Sequence, residues 1–164
     1  MNAPQPKGMP VQIHVFVDAS HARNKITRRS HTGILIYLNE APIVWYSKSQ
    51  CTVETFTFGA EFVSLKIGTE WIKSLRYKLR MMGVPLEGPA NVFVNNDSVV
   101  KNSTIPSSTL QKKHNSICYH FVCEAVASHI IRIAFTPSGE NLADMLTKTL
   151  GASKLKSFCH CILY

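Results

Sequence analysis

The hydrophobic pattern of the first half of the chain changes from a two-residue to a helical period. Apolar and polar residues alternate over 11–18, and shorter runs of strand character follow at 32–38 and 42–47. Because the links between these three runs are short, they predict an antiparallel meander. From near Val53 the apolar residues recur every three or four positions, which predicts a long helix that ends at Gly83-Val84-Pro85.

The second half predicts alternating helices and strands. Its predicted strands cover 92–94 and 130–135, with helices at 110–127 and 141–150 and a brief helix near Ser98. The order is then β-β-β-α-β-α-α-β-α, which predicts an α/β fold with a mixed five-stranded sheet flanked by helices.

One domain accounts for most of the chain. We expect residues 11–150 to form it, after a flexible leader over 1–10 and before a loosely held tail over 151–164. Trp45 on the third strand and Trp71 on the long helix are expected to pack in the core.

Composition and charge narrow the class of protein. The 164 residues are 45% hydrophobic and carry a formal charge of +8, which favours a polyanionic partner such as nucleic acid. No apolar run approaches the roughly 20 residues of a membrane span, so no membrane partner is predicted. The leader has no apolar core typical of a signal peptide, and the five cysteines are therefore expected to be reduced thiols in an intracellular protein.

Three acidic residues lie among apolar neighbours. Taken singly, Asp18 fits a turn residue at a strand end, Glu61 a solvated helix edge and Asp144 an acid at a helix start. Together, three acids at poorly solvated positions would repel one another unless a cation lay among them, and carboxylates are the ligands of hard divalent cations. An acidic pocket in a basic protein is typical of a nuclease, whose metal ions activate water and stabilise the leaving oxygen.

Seven segments in order carry a family resemblance. They read V-F-V-D-A-S, R-R-S-H-T-G-I-L-I-Y-L, P-I-V-W-Y-S-K-S-Q, F-G-A-E-F-V-S-L, N-V-F-V-N-N-D-S, K-K-H-N-S-I-C-Y-H-F and N-L-A-D-M-L-T-K. With them, the chain resembles over about 11–150 the ribonuclease H domain at the C-terminal end of copia-type LTR-retrotransposon polyproteins. The resemblance implies a ribonuclease H-like fold and an endonuclease that cuts the RNA strand of RNA–DNA hybrids. It also implies two Mg²⁺ ions, with Mn²⁺ as a substitute, and the reverse transcriptase domain of the same polyprotein as a partner.

The resemblance assigns the metal ligands and shows one departure. Asp18, Glu61 and Asp144 match three of the four family carboxylates, but the fourth position is Asn95. An amide can ligate Mg²⁺ without contributing charge, so metal affinity and catalysis should both suffer. Asp97 is a possible substitute, although residues two apart on a strand are separated by about 6.6 Å. Its simpler interpretation is an acid at the N-terminus of the next helix.

Basic residues supply the candidates for nucleic-acid contacts. They are Arg28, Arg29, Lys112, Lys113 and His114. His114 and His120 match family histidines, and a substrate contact, a role in proton transfer and a structural role remain open for both.

Three hypotheses follow. The first is a ribonuclease H-type endonuclease impaired by Asn95, and the second is a catalytically inactive module of the same fold that binds nucleic acid or serves a structural role. A different nuclease or an integrase is the third, which the contexts of Asp18 and Glu61 disfavour. The expected location is the cytoplasm, in a retrotransposon particle, or the nucleus.

Overall fold

The computed structural model describes residues 4–105 and 116–163. Its sheet has five strands: β1 (Ile13–Ser20), β2 (His31–Leu38), β3 (Ala41–Ser49), β4 (Ala90–Val94) and β5 (Ile131–Phe135). The spatial order is β3-β2-β1-β4-β5, with β1, β2 and β3 paired antiparallel and β1, β4 and β5 paired parallel. The predicted mixed five-stranded sheet is therefore confirmed.

Within the described residues, five helices accompany the sheet: α1 (Thr57–Met81), α2 (Asp97–Thr104), α3 (Ser116–Ala127), α4 (Asp144–Thr147) and α5 (Ala152–Leu163). Through α4 the element order is the predicted one. The helix predicted over 141–150 is much shorter in the structure, where α4 ends at Thr147 because Lys148 already has an extended backbone. None of the helices in the described ranges is long and apolar enough to cross a lipid bilayer.

The main core lies between α1 and one face of the sheet. Phe62, Leu65 and Ile72 of α1 are fully buried there, against strand residues such as Val15 and Ile34. A Cβ atom at Gly68 would lie 3.3 Å from Val17 Cγ2, so the glycine lets the helix backbone approach β1 closely. This packing fixes the position of Glu61, which lies one residue before Phe62.

Residues 4–10 and 151–163 are more ordered than predicted. In the leader, the Lys7 backbone N–H donates to the Gly83 carbonyl over 2.8 Å. The expected loose tail instead contains α5, which buries Phe158. Helix α5 is held by this apolar contact and by an ion pair from Lys154 to Asp144, which pattern analysis of the tail alone did not reveal.

The prediction that both tryptophans pack in the core is wrong. Trp45 is 71% exposed and Trp71 is 41% exposed. Trp45 belongs to the edge strand β3, on the sheet face opposite α1, whereas Trp71 lies at the margin of α1 against Tyr46.

Candidate active site

Asp18 lies inside the central strand β1 and is only 2% exposed. Its neighbour on β2 is Gly33, where a Cβ atom would lie 2.6 Å from Thr147 Cγ2 and 2.8 Å from the Ala143 carbonyl oxygen. The missing side chain therefore lets α4 pack directly on the sheet. As a result, the Thr147 hydroxyl donates a hydrogen bond to Asp18 Oδ2.

The segment before α4 is tied to β1 by Asn141, a fully buried residue that sequence analysis did not single out. Its side-chain nitrogen donates to the Val17 carbonyl over 2.9 Å, and its side-chain oxygen accepts from the Ala143 N–H over 3.1 Å. The Asp144 N–H donates to the Asn141 carbonyl. Asn141 thereby holds Asp144 beside Asp18, and its only sequence signal was its place in the N-L-A-D segment.

Two lysines neutralise the buried carboxylates. The Lys148 ammonium lies 3.2 Å from Asp18 Oδ1 and 2.8 Å from Asp144 Oδ1, so it bridges the two acids. Lys154, from α5, lies 3.0 Å from Asp144 Oδ2. Burial alone would lower the pKa of Lys148, but its interactions with Asp144 and Asp18 outweigh that effect and raise the pKa. Neither lysine lies in a sequence pattern that predicts such a role.

Glu61 lies near the start of α1, at the edge of the same pocket. Burial, with the nearby Asp18 carboxylate as a second cause, raises the pKa of Glu61 to about 7, although a hydrogen bond from Asn96 and the charge of Lys148 act against the rise. Its Oε2 atom is buried and has no hydrogen-bond partner among the described residues.

A second buried amide fixes the start of α1. Gln50 donates to the Ala60 carbonyl over 2.8 Å and to the Ser64 hydroxyl over 3.2 Å. It also contacts Thr32 of β2, so it links this helix turn to the sheet and places Glu61 at the pocket. The role of Gln50 was not predictable, because a glutamine before a helix belongs to no distinctive sequence pattern.

Asn95 directly follows β4 and faces Asp18. Its side-chain nitrogen donates to Asp18 Oδ1 over 3.2 Å and to the Ser138 hydroxyl over 3.3 Å. An ionised carboxylate only accepts hydrogen bonds, so the amide must turn its NH₂ group toward Asp18. Asn95 therefore acts here as a neutral donor to the carboxylate rather than as an oxygen ligand.

Asp97 is not drawn into this pocket. It is the first residue of α2, its side chain is 59% exposed, and its carboxylate pairs with Lys101 one turn later. The helix is capped by Asn96, whose side-chain oxygen accepts from the Ser98 N–H over 2.9 Å. The position agrees with the simpler interpretation of Asp97 as a helix-start acid.

The pocket has the oxygen donors that a hard divalent cation prefers, but these donors are not arranged around a common point. The donors of Asp18, Glu61 and Asp144 are all carboxylate oxygens, and one of them, Glu61 Oε2, lacks a partner within the described ranges. Across residues 4–105 and 116–163, however, no three acidic, histidine or cysteine side chains are grouped closely enough to hold a metal ion. Binding of a cation would require Lys148 to move away from Asp18 and Asp144.

The residues predicted to contact nucleic acid lie in separate parts of the protein. Arg28 and Arg29 are exposed in the loop between β1 and β2, and Arg29 lines a cleft that also contains Lys148. His120 is exposed on α3 and makes an edge contact with Tyr119. Lys112, Lys113 and His114 lie outside the described residues.

Comparisons with known proteins agree with this architecture. The chain is 31% identical over 155 residues to the retrovirus-related Pol polyprotein from transposon RE1 of Arabidopsis thaliana. The match covers 93% of this chain but only 10% of that polyprotein. No family model matches the chain.

Solved ribonuclease H structures share the fold at low identity. LC11-RNase H1 in complex with an RNA/DNA hybrid superposes with a TM-score of 0.65 and 16% identity, covering 83% of this chain and 94% of that one. The N-terminal RNase H domain of a Mycobacterium tuberculosis protein, fused to maltose-binding protein, gives 0.62 and 15%, covering 92% and 97%. This chain is thus homologous to a segment of the plant retrotransposon Pol polyproteins, and it has the ribonuclease H fold.

Proposed function

We propose that this chain is a ribonuclease H-type domain that binds RNA–DNA hybrids and hydrolyses their RNA strand with two divalent ions, and that Asn95 impairs the hydrolysis. The observation that carries the proposal is the gathering of Asp18, Glu61, Asp144 and Asn95 at one pocket of a ribonuclease H fold. The hybrid bound to LC11-RNase H1 supports the choice of substrate.

The residues of this chain would divide the work in the following way. Asp18, Glu61 and Asp144 would hold Mg²⁺ or Mn²⁺, which supplies Lewis-acid activation of water and stabilises the leaving oxygen when bound. Asn95 contributes no negative charge and donates its N–H to Asp18, so it lowers the attraction of the pocket for cations. Lys148 and Lys154 compete for the same carboxylate oxygens.

A second function is favoured by those two lysines. With Asp18 and Asp144 already paired to ammonium groups, the charges of the pocket are balanced without a metal ion, which suits a domain that binds a hybrid without cutting it. In either case, we propose the reverse transcriptase domain of the same polyprotein as its partner, because the matched relative is a Pol polyprotein of which this chain spans only a tenth.

The test is a cleavage assay on an end-labelled RNA–DNA hybrid with Mg²⁺ or Mn²⁺, comparing wild type with Asn95→Asp. We expect weak cleavage by the wild type and a gain of at least about tenfold in Asn95→Asp, equivalent to about 1.4 kcal/mol of barrier. Asn95→Asp combined with Asp144→Asn is the control for a contaminating nuclease. Strong wild-type cleavage would contradict the impairment.

Two further results separate the alternatives. If Asn95→Asp binds the hybrid in EDTA but does not cut it in Mg²⁺ or Mn²⁺, the inactive binding module is the better description. If Asp97→Ala abolishes cleavage by the wild type, Asp97 substitutes for the missing carboxylate despite its position on α2.

A further inference from the structure

A cleft beside the carboxylate pocket has the composition of an anion site. It measures about 510 Å³ and lies between the β1–β2 loop, the ends of β2 and β3, and α4. We call it the basic cleft and define it by six of its lining residues: Arg23, Arg29, His31, Ser47, Ser49 and Lys148. No aspartate or glutamate lines it within the described part of the chain. Lys148 belongs to both the basic cleft and the carboxylate pocket.

Hydrogen bonds fix the walls of the basic cleft. The Ser47 hydroxyl donates to the Leu146 carbonyl over 2.7 Å, so it must accept from His31 Nε2, which lies 2.9 Å away. His31 is therefore protonated at Nε2, and Nδ1 can accept from the Ser49 hydroxyl over 3.3 Å. Burial, and secondarily the charge of Arg23, lower the pKa of His31, which favours this neutral form. These hydroxyl protons are thus already used within the wall.

Arg23 and Arg29 supply the hydrogen-bond donors of the basic cleft that are available to a ligand. Arg23 donates one N–H to the Thr147 carbonyl, which holds its guanidinium at the cleft while its other N–H groups stay available. The Arg29 backbone carbonyl accepts from the Asn24 N–H, but its guanidinium makes no hydrogen bond or ion pair with another described residue, and the side chain lines the cleft. A guanidinium presents paired N–H groups that match two oxygens of a phosphate, with greater strength than neutral donors have.

We propose that the basic cleft binds a phosphodiester group of a nucleic-acid strand whose neighbouring segment lies at the carboxylate pocket. Arg29 is its principal ligand, Arg23 supports it, and Lys148 joins the two sites. The inference rests on the proposed function for the identity of the strand, which is that of an RNA–DNA hybrid. Arg28 lies on the same loop but does not line the cleft, so Arg28 and Arg29, both predicted from the sequence to contact nucleic acid, have different roles.

The test measures binding without cleavage. The anisotropy of a fluorescein-labelled 12-base-pair RNA–DNA hybrid is followed in EDTA, at several salt concentrations, for wild type, Arg29→Ala and Arg29→Lys. Arg80→Ala is the matched control, because Arg80 is an exposed arginine near the far end of α1. We expect Arg29→Ala to weaken binding about tenfold and to reduce the slope of log K against log salt by about one. Arg29→Lys should keep the slope but lose part of the affinity, and Arg80→Ala should change the affinity less than twofold.

The outcomes separate this inference from the proposed function. Equal affinities of Arg29→Ala and Arg80→Ala overturn the phosphate site even if the hybrid is cleaved. A selective loss in Arg29→Ala supports the site even if no variant cleaves the hybrid. Titration of the wild type with inorganic phosphate, followed by NMR of the arginine Nε–H signals, adds a direct readout. A shift of the Arg29 signal greater than that of Arg80 supports the site, and equal shifts overturn it.

Discussion

Asn95 Nδ2 lies 3.2 Å from Asp18 Oδ1, so a neutral amide donates to the most buried carboxylate of the pocket. A carboxylate in the place of Asn95 could not donate and would repel Asp18 across the same gap. The amide therefore stabilises the metal-free form of the pocket, at the expense of charge that would attract a divalent cation.

The substitution Asn95→Asp should make folding stability depend on metal. In EDTA we expect the free energy of unfolding to fall by about 1–3 kcal/mol, because a charged hydrogen bond is replaced by repulsion. Adding Mg²⁺ or Mn²⁺ should raise the melting temperature of Asn95→Asp more than that of the wild type, because a ligand that binds only the folded state stabilises it. Differential scanning calorimetry with and without metal measures both effects.

The matched control for this change is Asn39→Asp. Asn39 is an exposed turn residue whose side-chain oxygen accepts from the Gln12 N–H, a role that aspartate can keep. The substitution Asn39→Asp adds the same negative charge as Asn95→Asp, but away from the carboxylate pocket. Identical metal responses of the two variants would mean that Asn95 has no special relation to a metal site.

Lys148→Met should destabilise the metal-free protein and tighten metal binding. Removing the ammonium leaves Asp18 and Asp144 without their shared partner, which should lower the free energy of unfolding by about 1–3 kcal/mol. Since the competing cation is gone, calorimetric titration with Mn²⁺ should give a lower Kd than for the wild type. Urea denaturation in EDTA measures the stability change.

Lys101→Met provides the comparison. Lys101 pairs with the exposed Asp97 within α2, and surface pairs of this kind contribute less than about 1 kcal/mol. It should change neither stability nor Mn²⁺ affinity appreciably. A Mn²⁺ affinity of Lys148→Met equal to that of Lys101→Met would show that Lys148 does not compete with the metal.

Glu61 should make the metal-free protein less stable as the pH rises from about 4.5 to about 7. Its pKa in the folded protein is about 7, whereas the ordinary glutamate pKa of 4.5 applies to the unfolded chain. The folded state therefore favours the protonated acid: the stabilisation is fully present below pH 4.5 and is lost as the pH rises through 7. At about 1.4 kcal/mol per pKa unit, the loss approaches about 3 kcal/mol.

Glu61→Gln, which mimics the protonated acid, tests this relation. Urea denaturation of both proteins in EDTA at several pH values should show the variant gaining stability over the wild type as the pH rises from 4.5 to 7. Glu70→Gln alters an exposed acid of the same helix and should follow the wild type. A constant difference between Glu61→Gln and wild type across this range would contradict the raised pKa.

The sequence predicted on which elements the site residues lie, but it did not predict which charged groups pair with them. Asp18 was expected at the end of the first strand, Asn95 directly after the fourth strand and Asp144 in the helix predicted over 141–150, because periodicity and turn residues locate elements along the chain. Which groups neutralise the acids was not predictable in this way. The long side chains of Lys148 and Lys154 reach Asp144 from four and ten residues away, and only the packing of α4 and α5 decides where they point.

The sequence also did not predict which face of the sheet is covered by the long helix. Alternation in the third strand shows that Trp45 lies on one face, but it does not tell which face α1 covers. In the structure α1 covers the opposite face, so Trp45 is exposed. Gly33 illustrates the same limit, since its role depends on a helix more than a hundred residues away in the chain.

Gly33→Ala should separate α4 from the sheet and with it Asp144 from Asp18. The added Cβ would lie 2.6 Å from Thr147 Cγ2 and 2.8 Å from the Ala143 carbonyl oxygen, and a backbone atom cannot be relieved by a rotamer change. Overpacking of this kind costs about 1–3 kcal/mol, which we expect as a loss of unfolding free energy. Gly139→Ala adds the same methyl group where no atom lies within 4 Å, and it should be close to neutral. Mn²⁺ titration of Gly33→Ala should also show weaker binding than Gly139→Ala, because the two carboxylates would no longer share one pocket. Equal stability and equal Mn²⁺ affinity in the two variants would contradict the close packing of α4 on β2.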